Sequence, residues 1–385
     1  MKNFCIIGSG RQGTAAAYDI VTKGDPKSLT IIDSNEGNLN KCAQKVEELT
    51  GFKVKKRNID IHDRDLLIDS LSEIDIFLSS VPYPYNLYLT EIAIDSSTSM
   101  VDLGGHTKNV IKQLESSDRA IKSGISIVPD CGMGPGMNVS VALLAMDDFD
   151  EVDEVRVWDG GLPKNPSSPW NYNLFFNIQG LTNEYDGSAY FIRDGKVVEV
   201  ECFEDIENLN FDSGIGKLEA AVTSGGLSTM PWTYEGKIKV LENKTLRYPG
   251  HWETMIAYRQ LGLFEEKKID FKGAELSPRE FYHHLLEPQL LEKNPLDICI
   301  MRAEATGLIN GERKTKRVEC IQTYENDTGF LAMEQWTGYH ASMVMQHIAN
   351  SKVPHGAHPI EKALSGIDFY NYAVQRGYEI NINYI

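Results

Sequence analysis

The residues Gly8-Ser9-Gly10-Arg11-Gln12-Gly13 stand between the apolar run Phe4 to Ile7 and the helix-forming stretch Thr14 to Tyr18. The chemistry open to a strand, glycine turn and helix in that order is phosphate binding. Gly8 permits a tight turn, Gly10 lets the backbone approach a pyrophosphate, and Gly13 lets helix and strand pack closely while the helix N-terminus faces the anion. A second apolar run, Ser28 to Ile32, ends in Asp33, twenty residues past Gly13 and followed by Ser34. A carboxylate there accepts hydrogen bonds from the adenosine ribose and repels an added phosphate on that sugar, so the expected cofactor is NAD rather than NADP. Arg11 is either a phosphate contact or a solvated residue of the first helical turn.

Those residues need a sheet to position them. From residue 1 to about 130, short β-rich runs alternate with helix-compatible stretches; Lys53 to Lys56, Ile74 to Leu78, Ser99 to Leu103 and Ile125 to Val128 read as further strands. This pattern predicts a Rossmann-type doubly wound parallel α/β sheet. Ligands of such sheets bind beyond the carboxyl ends of the strands. Asp60-Ile61, Ser79-Ser80-Val81-Pro82 and Asp102-Leu103-Gly104-Gly105-His106 are therefore expected to ring the cofactor, the first pair framing adenine and Val81-Pro82 flanking the nicotinamide.

Beyond Pro129 to Gly136 and one more helix the runs lengthen and aromatics multiply, which predicts a second α+β domain with a largely antiparallel sheet. Its clearest hairpin joins Leu296–Ile309 to Lys314–Tyr324 across Asn310-Gly311, a pair suited to a tight turn. Ser277, Pro278 and Glu280 mark a helix start. The expected units are a dinucleotide-binding domain over 1–130, a substrate domain over 131–338, and a segment over 339–385 that returns to the first domain.

The 385 residues, 42% of them hydrophobic, suffice for two cores. A formal charge of −17 argues against nucleic acid or an anionic membrane as partner. Six scattered cysteines without a CxxC pair are expected to be reduced thiols of a cytoplasmic protein, and the histidine spacings match no structural zinc site. No run approaches the roughly 18 apolar residues of a membrane span.

Several segments resemble the saccharopine dehydrogenase-like family: Val101 to His106, Val128 to Met137, Gly160 to Pro163, Gly180-Leu181, Thr223 to Gly226 with Ser228-Thr229, and Lys244 to His251. They follow the family order over nearly the whole chain, and the Thr-Ser-Gly-Gly and Arg-Tyr-Pro-Gly-His segments are more specific than a glycine fingerprint. Cys131, Met133-Gly134, the Met230 to Tyr234 loop and His355 to Pro359 depart from it. Within the family the likeness is greatest to enzymes acting on lysine itself. It implies NAD-dependent oxidative deamination of the L-lysine ε-amine, giving 2-aminoadipate 6-semialdehyde and ammonia, in a homodimer or higher homo-oligomer. Rival readings are a saccharopine-, carboxynorspermidine- or diamino-acid dehydrogenase of the same family, and a dinucleotide sensor without turnover.

That implied chemistry requires a proton acceptor for an ammonium of ordinary pKa about 10.4, a group that positions water, and an anchor for the α-carboxylate. His106 is the candidate base, or a loop residue that holds the Gly-Gly turn. Asp130 and Asp102 end strands and either hold the amine, orient His106, or satisfy turn amides. Arg247 offers a two-pronged carboxylate clamp, or a structural ion pair. Thr223, Ser224, Gly225 and Gly226 form an anion-binding nest or a plain turn. His251 faces substrate or caps a helix, and Tyr172 is an aromatic candidate whose ordinary role is packing.

Overall fold

The structure, a computed structural model, describes the chain from residue 1 to 385 except residues 213 and 294. Its first six strands are β1 (Asn3–Ile7), β2 (Ser28–Asp33), β3 (Lys55–Asn58), β4 (Ile76–Ser79), β5 (Ser99–Asp102) and β6 (Ser126–Val128). They pair in parallel in the order β6-β5-β4-β1-β2-β3, with the chain reversing direction of growth between β1 and β4. Alternate side chains of these strands feed two cores. Phe4, Ile6, Ile31 and Leu78 enter one, while Cys5, Ile7, Ile32 and Phe77 enter the other. Burial on both faces explains why the runs read as continuously apolar.

The second sheet contains β7 (Glu151–Pro163), β8 (Ser188–Arg193), β9 (Lys196–Glu201), β10 (Glu207–Phe211), β11 (Gly216–Ala221) and β12 (Val240–Arg247). After the small hairpin β13 (Ile269–Phe271) and β14 (Ala274–Leu276), β15 (Asp297–Ile309) and β16 (Glu312–Thr323) complete its centre. Pairing is antiparallel except between β7 and β12. Asn310 and Gly311 close the β15–β16 hairpin with φ of 52° and 78°, and Ile309 faces Glu312 across the turn. The helix Pro278–Leu290 starts where Ser277 Oγ accepts the Glu280 amide, at 3.3 Å.

The chain's end binds the two sheets together. The helix Ala332–Ala349, buried along most of its length, crosses the helix Arg11–Lys23 at Gly338, where an added Cβ would lie 2.7 Å from both Gln12 O and Ala16 N. β17 (Gly356–Ala357) then extends the first sheet beside β6, and β18 (Ile380–Tyr384) pairs with β16 in the second. Residues 339–385 thus serve both layers, and one helix runs across position 338. All six cysteines are buried and unpaired. Among the described residues, no helix is long and apolar enough to cross a membrane.

Candidate functional site

The glycine turn has the geometry that a bound dinucleotide requires. A Cβ on Gly8 would press on Ser80 O at 2.7 Å, and one on Gly13 would collide with Gly8 O, so these two glycines are fixed by packing of strand against helix. Gly10 is different. No protein atom lies within 4 Å of its Cβ position, so its bareness serves something other than internal packing. Asp33 at the end of β2 accepts from Ser9 N and Ser9 Oγ, both at 2.8 Å, through Oδ2, and from Asn35 N at 2.8 Å through Oδ1. A carboxylate has about four acceptor positions, so Oδ1 keeps capacity for a ribose hydroxyl. Gln12 Oε1 is buried without a partner, beside the same turn. These features fit a dinucleotide cofactor.

From this turn a cleft of about 640 Å³ runs between the strand ends of the first domain and the face of the second sheet. Ser80, Val81, Pro82, Leu103 and Gly104 line one wall. The opposite wall is built from alternate residues of β12, Asn243, Thr245 and Arg247, together with Asp159 of β7 and Glu184 of the helix Ile178–Tyr185. Among the described residues the lining carries three charged side chains: Asp159, Glu184 and Arg247.

Arg247 is nearly sealed. Its Nε donates to Tyr185 Oη at 2.8 Å, Nη1 to Leu246 O at 2.9 Å and Nη2 to Glu184 Oε1 at 3.0 Å, which engages three of its five N–H groups. Its other two N–H groups make no hydrogen bond among the described residues. Glu184 is raised above the usual carboxylate range by burial, against the pull of Arg247. Burial also lifts Asp159 to about 6, opposed by the hydrogen bond from Asn243 and helped by Glu184. Next to Arg247, Thr223 and Thr245 share a hydroxyl contact of 2.7 Å, and Ser224 is tied to the backbone of residues 183 and 184. Gly225 and Gly226 follow at φ of 89° and 47° and bring their backbone to the cleft.

Other expected residues lie outside this cleft. His251 is fully buried behind Arg247, between Tyr185 Oη at 2.9 Å and Trp170 O at 3.0 Å, and burial, reinforced by Arg247, lowers it to about 3. It packs as a neutral ring and does not reach the cleft. Tyr172 is also behind the wall, stacked under the guanidinium at 4.9 Å. Asp102 is consumed by its own turn, accepting from Gly104 N, Asp130 N and Gln113 Nε2. Ser79 is turned inside the domain, donating to Asn86 Oδ1 at 2.8 Å. His106 precedes the helix Thr107–Leu114, stacks on Tyr83 at 5.2 Å, and stays outside the lining. Arg11 reaches away from the turn toward Phe175 O and Glu334. Asp60 and Ile61 stand past β3, with Asp60 bound to the His62 amide, and Ser34 is exposed past β2.

Asp130 takes a middle position. It lies at φ 56° with Oδ2 accepting from Ser228 and Oδ1 unpartnered beneath Gly104. Burial, then the neighbouring Asp102, lift it to about 7. The residues that sequence reasoning passed over are Asp159, Glu184 and Asn243. Asp159 directly precedes the Gly160-Gly161 pair within the apolar half of its run, and an acid set between Trp158 and two glycines was the available signal.

A parallel nucleotide-binding sheet closed by a mixed sheet over a polar cleft defines a two-domain protein of the Rossmann dinucleotide-binding class. The chain belongs to the saccharopine dehydrogenase family. Residues 4–128 match the saccharopine dehydrogenase NADP binding domain and residues 132–376 the saccharopine dehydrogenase C-terminal domain. It is 24% identical over 211 residues to the NADP(+), L-glutamate-forming saccharopine dehydrogenase of Saccharomyces cerevisiae, covering 53% of this chain and 45% of that one. It is 21% identical over 291 residues to the mitochondrial alpha-aminoadipic semialdehyde synthase of Bos taurus, covering 72% of this chain and 30% of the other. The matches span less than half the length of these curated relatives. The solved apo saccharopine dehydrogenase (L-Glu forming) from Saccharomyces cerevisiae superposes with a TM-score of 0.78 at 16% identity, covering 100% of both chains. It shares the fold.

Proposed function

We propose that the chain is a nicotinamide-dependent oxidoreductase acting on a CH–NH bond, and that it uses NAD to oxidise the ε-amine of L-lysine to the 6-semialdehyde with release of ammonia. The observation that carries this reading is the charge of the cleft: two carboxylates, Asp159 and Glu184, against one guanidinium, Arg247. Saccharopine bears three carboxylates and would meet one cation already paired with an acid. Lysine bears one carboxylate and a cationic far end, and its charges complement the wall. Against this stand the Saccharomyces cerevisiae relative, whose name specifies NADP and glutamate formation, and the NADP binding domain that residues 4–128 match. The saccharopine-type reaction is therefore the second reading.

A bound nicotinamide supplies the hydride acceptor for the ε-carbon. The chain's residues do the positioning. Gly10 and the helix behind it admit the pyrophosphate, and Asp33 takes the ribose. The two free donors of Arg247, with the Gly225 and Gly226 amides, hold the α-carboxylate, so that substrate length sets which carbon reaches the ring. Asp33 favours NAD by direct hydrogen bonding, worth about 1.5 to 3 kcal/mol to a charged group, and by repelling a 2′-phosphate.

The test is a panel of amines with NAD or NADP, followed by reduced-nicotinamide absorbance. L-Lysine with NAD should turn over, cadaverine should be poor, and Asp33→Ala should narrow the gap between the two cofactors. Arg247→Lys, which keeps the charge but loses the fork, should raise KM for lysine at least tenfold. Efficient oxidation of cadaverine would overturn the lysine reading, and reductive coupling of an aldehyde to glutamate with no lysine oxidation would replace it with the second.

A further inference from the structure

The wall opposite the cofactor turn contains one acid whose surroundings suit proton transfer. Asp159 is 7% exposed, yet it lines the cleft. Asn243 Nδ2 donates to its Oδ1 at 2.5 Å, and the same amide donates to Val157 O at 3.3 Å, so Asn243 is itself anchored to β7. Asp159 Oδ2 points the other way, to the Gly132–Gly136 loop that joins the domains; a Cβ on Gly134 would sit 2.7 Å from it. The loop is therefore bare where the carboxylate approaches it. Thr245 is its register partner on β12, and Arg247 lies two residues further along the same face. The acid thus stands against the loop that joins the domains, with Arg247 farther along β12.

Resting on the amine-oxidation reading above, we infer that Asp159 holds the reacting ammonium and accepts its proton, and that Asn243 is the positioning residue that fixes the carboxylate. The ammonium N–H bond breaks and an O–H bond forms on Asp159 Oδ2, leaving a neutral amine. The Cε–H bond then breaks with its electron pair passing to the nicotinamide, the C–N bond becomes C=N, and water adds to that carbon. Asp159 returns its proton to the departing nitrogen. As the C–N bond breaks and C=O forms, the balance is alkylammonium, oxidised nucleotide and water giving aldehyde, reduced nucleotide and ammonium, with one proton released to solvent. A carboxylate near pH 6 is a weak acceptor for an ordinary ammonium. The gap narrows on desolvation in the cleft, because burial disfavours the charged form of an amine.

Asp159→Asn is nearly isosteric and should lower kcat for whichever amine the native enzyme oxidises by at least 100-fold, within the usual range for general-base loss. NADH affinity, measured by fluorescence titration, should change less than threefold. Asn243→Ala removes the stronger of the two amide donors, Asn243 and Asn138, that hold the charged form, so the acid limb of kcat/KM should move to higher pH while KM for NAD stays as it was. Asp159→Asn retaining kcat within a few-fold, or Asn243→Ala leaving the acid limb in place, would overturn the inference. Calorimetry of L-lysine binding to the NADH complex separates it from the function itself. If no amine is oxidised, lysine binding weakened at least tenfold by Asp159→Asn still supports the ammonium site, and equal binding rejects it.

Discussion

Asp130 shows how much electrostatic cost one buried side chain imposes in this fold. Its native carboxyl is raised to about 7, whereas an unfolded chain returns it to about 3.9. The folded state binds the proton more tightly, so the stability it contributes is full below the unfolded value and is lost as pH rises through about 7. Asn tolerates the same positive φ and keeps an acceptor for Ser228. Asp130→Asn should therefore raise the midpoint of thermal unfolding relative to the native protein at pH 8 and show a smaller difference at pH 5; a parallel offset at both values would remove the titration argument. The same residue illustrates what sequence conveys. That an acid ends a strand here was legible, but whether it faces ligand, turn amides or another acid depends on β5, β6 and the Ser228 loop, which meet only in three dimensions. For that reason Asp102 and Ser79, equally placed at strand ends, turn out to serve the scaffold.

At the scale of elements, local signals translated well wherever the chemistry was local. The Asn310-Gly311 turn, the Ser277 cap and the strand-glycine-helix unit all stand where short-range sterics put them. What was hidden is non-local: the parallel β7–β12 pair, which brings Asp159 level with Thr245, and the crossing of the helices Arg11–Lys23 and Ala332–Ala349. That crossing packs the helix Ala332–Ala349 against the helix that follows the glycine turn. Gly338 permits it, since an added Cβ would also lie 2.8 Å from Ala15 Cβ. Gly338→Ala gains helix propensity but must push the two helices apart, and overpacking of this kind costs about 1 to 3 kcal/mol. Urea unfolding should show that loss, and dinucleotide affinity should fall with it because Gln12 shares the contact. A stabilised variant would mean that the crossing has slack.

For the whole molecule, the decisive feature is that the C-terminal segment ties the first sheet to the second. Asp19, in the helix behind the glycine turn, receives Arg376 Nε at 2.9 Å and Nη2 at 2.6 Å, and both side chains are almost fully buried. Between them the chain has already placed β17 in the first sheet, and just beyond it β18 joins the second. A paired buried ion contributes little net energy over a well-packed apolar pair, but removing one partner strands the other charge at a cost of about 3 to 5 kcal/mol. Arg376→Met should therefore destabilise the protein by that amount in urea titration, whereas the double change Asp19→Leu with Arg376→Met should recover most of it. The two outcomes separate a latch that works by charge from one that works by packing. If the double variant regains stability yet binds dinucleotide more weakly, the ion pair fixes the angle of the helix Arg11–Lys23 rather than its anchorage; if the single variant loses less than about 1 kcal/mol, the joint is held by the Gly338 crossing and the two edge strands, and Arg376 is dispensable to it.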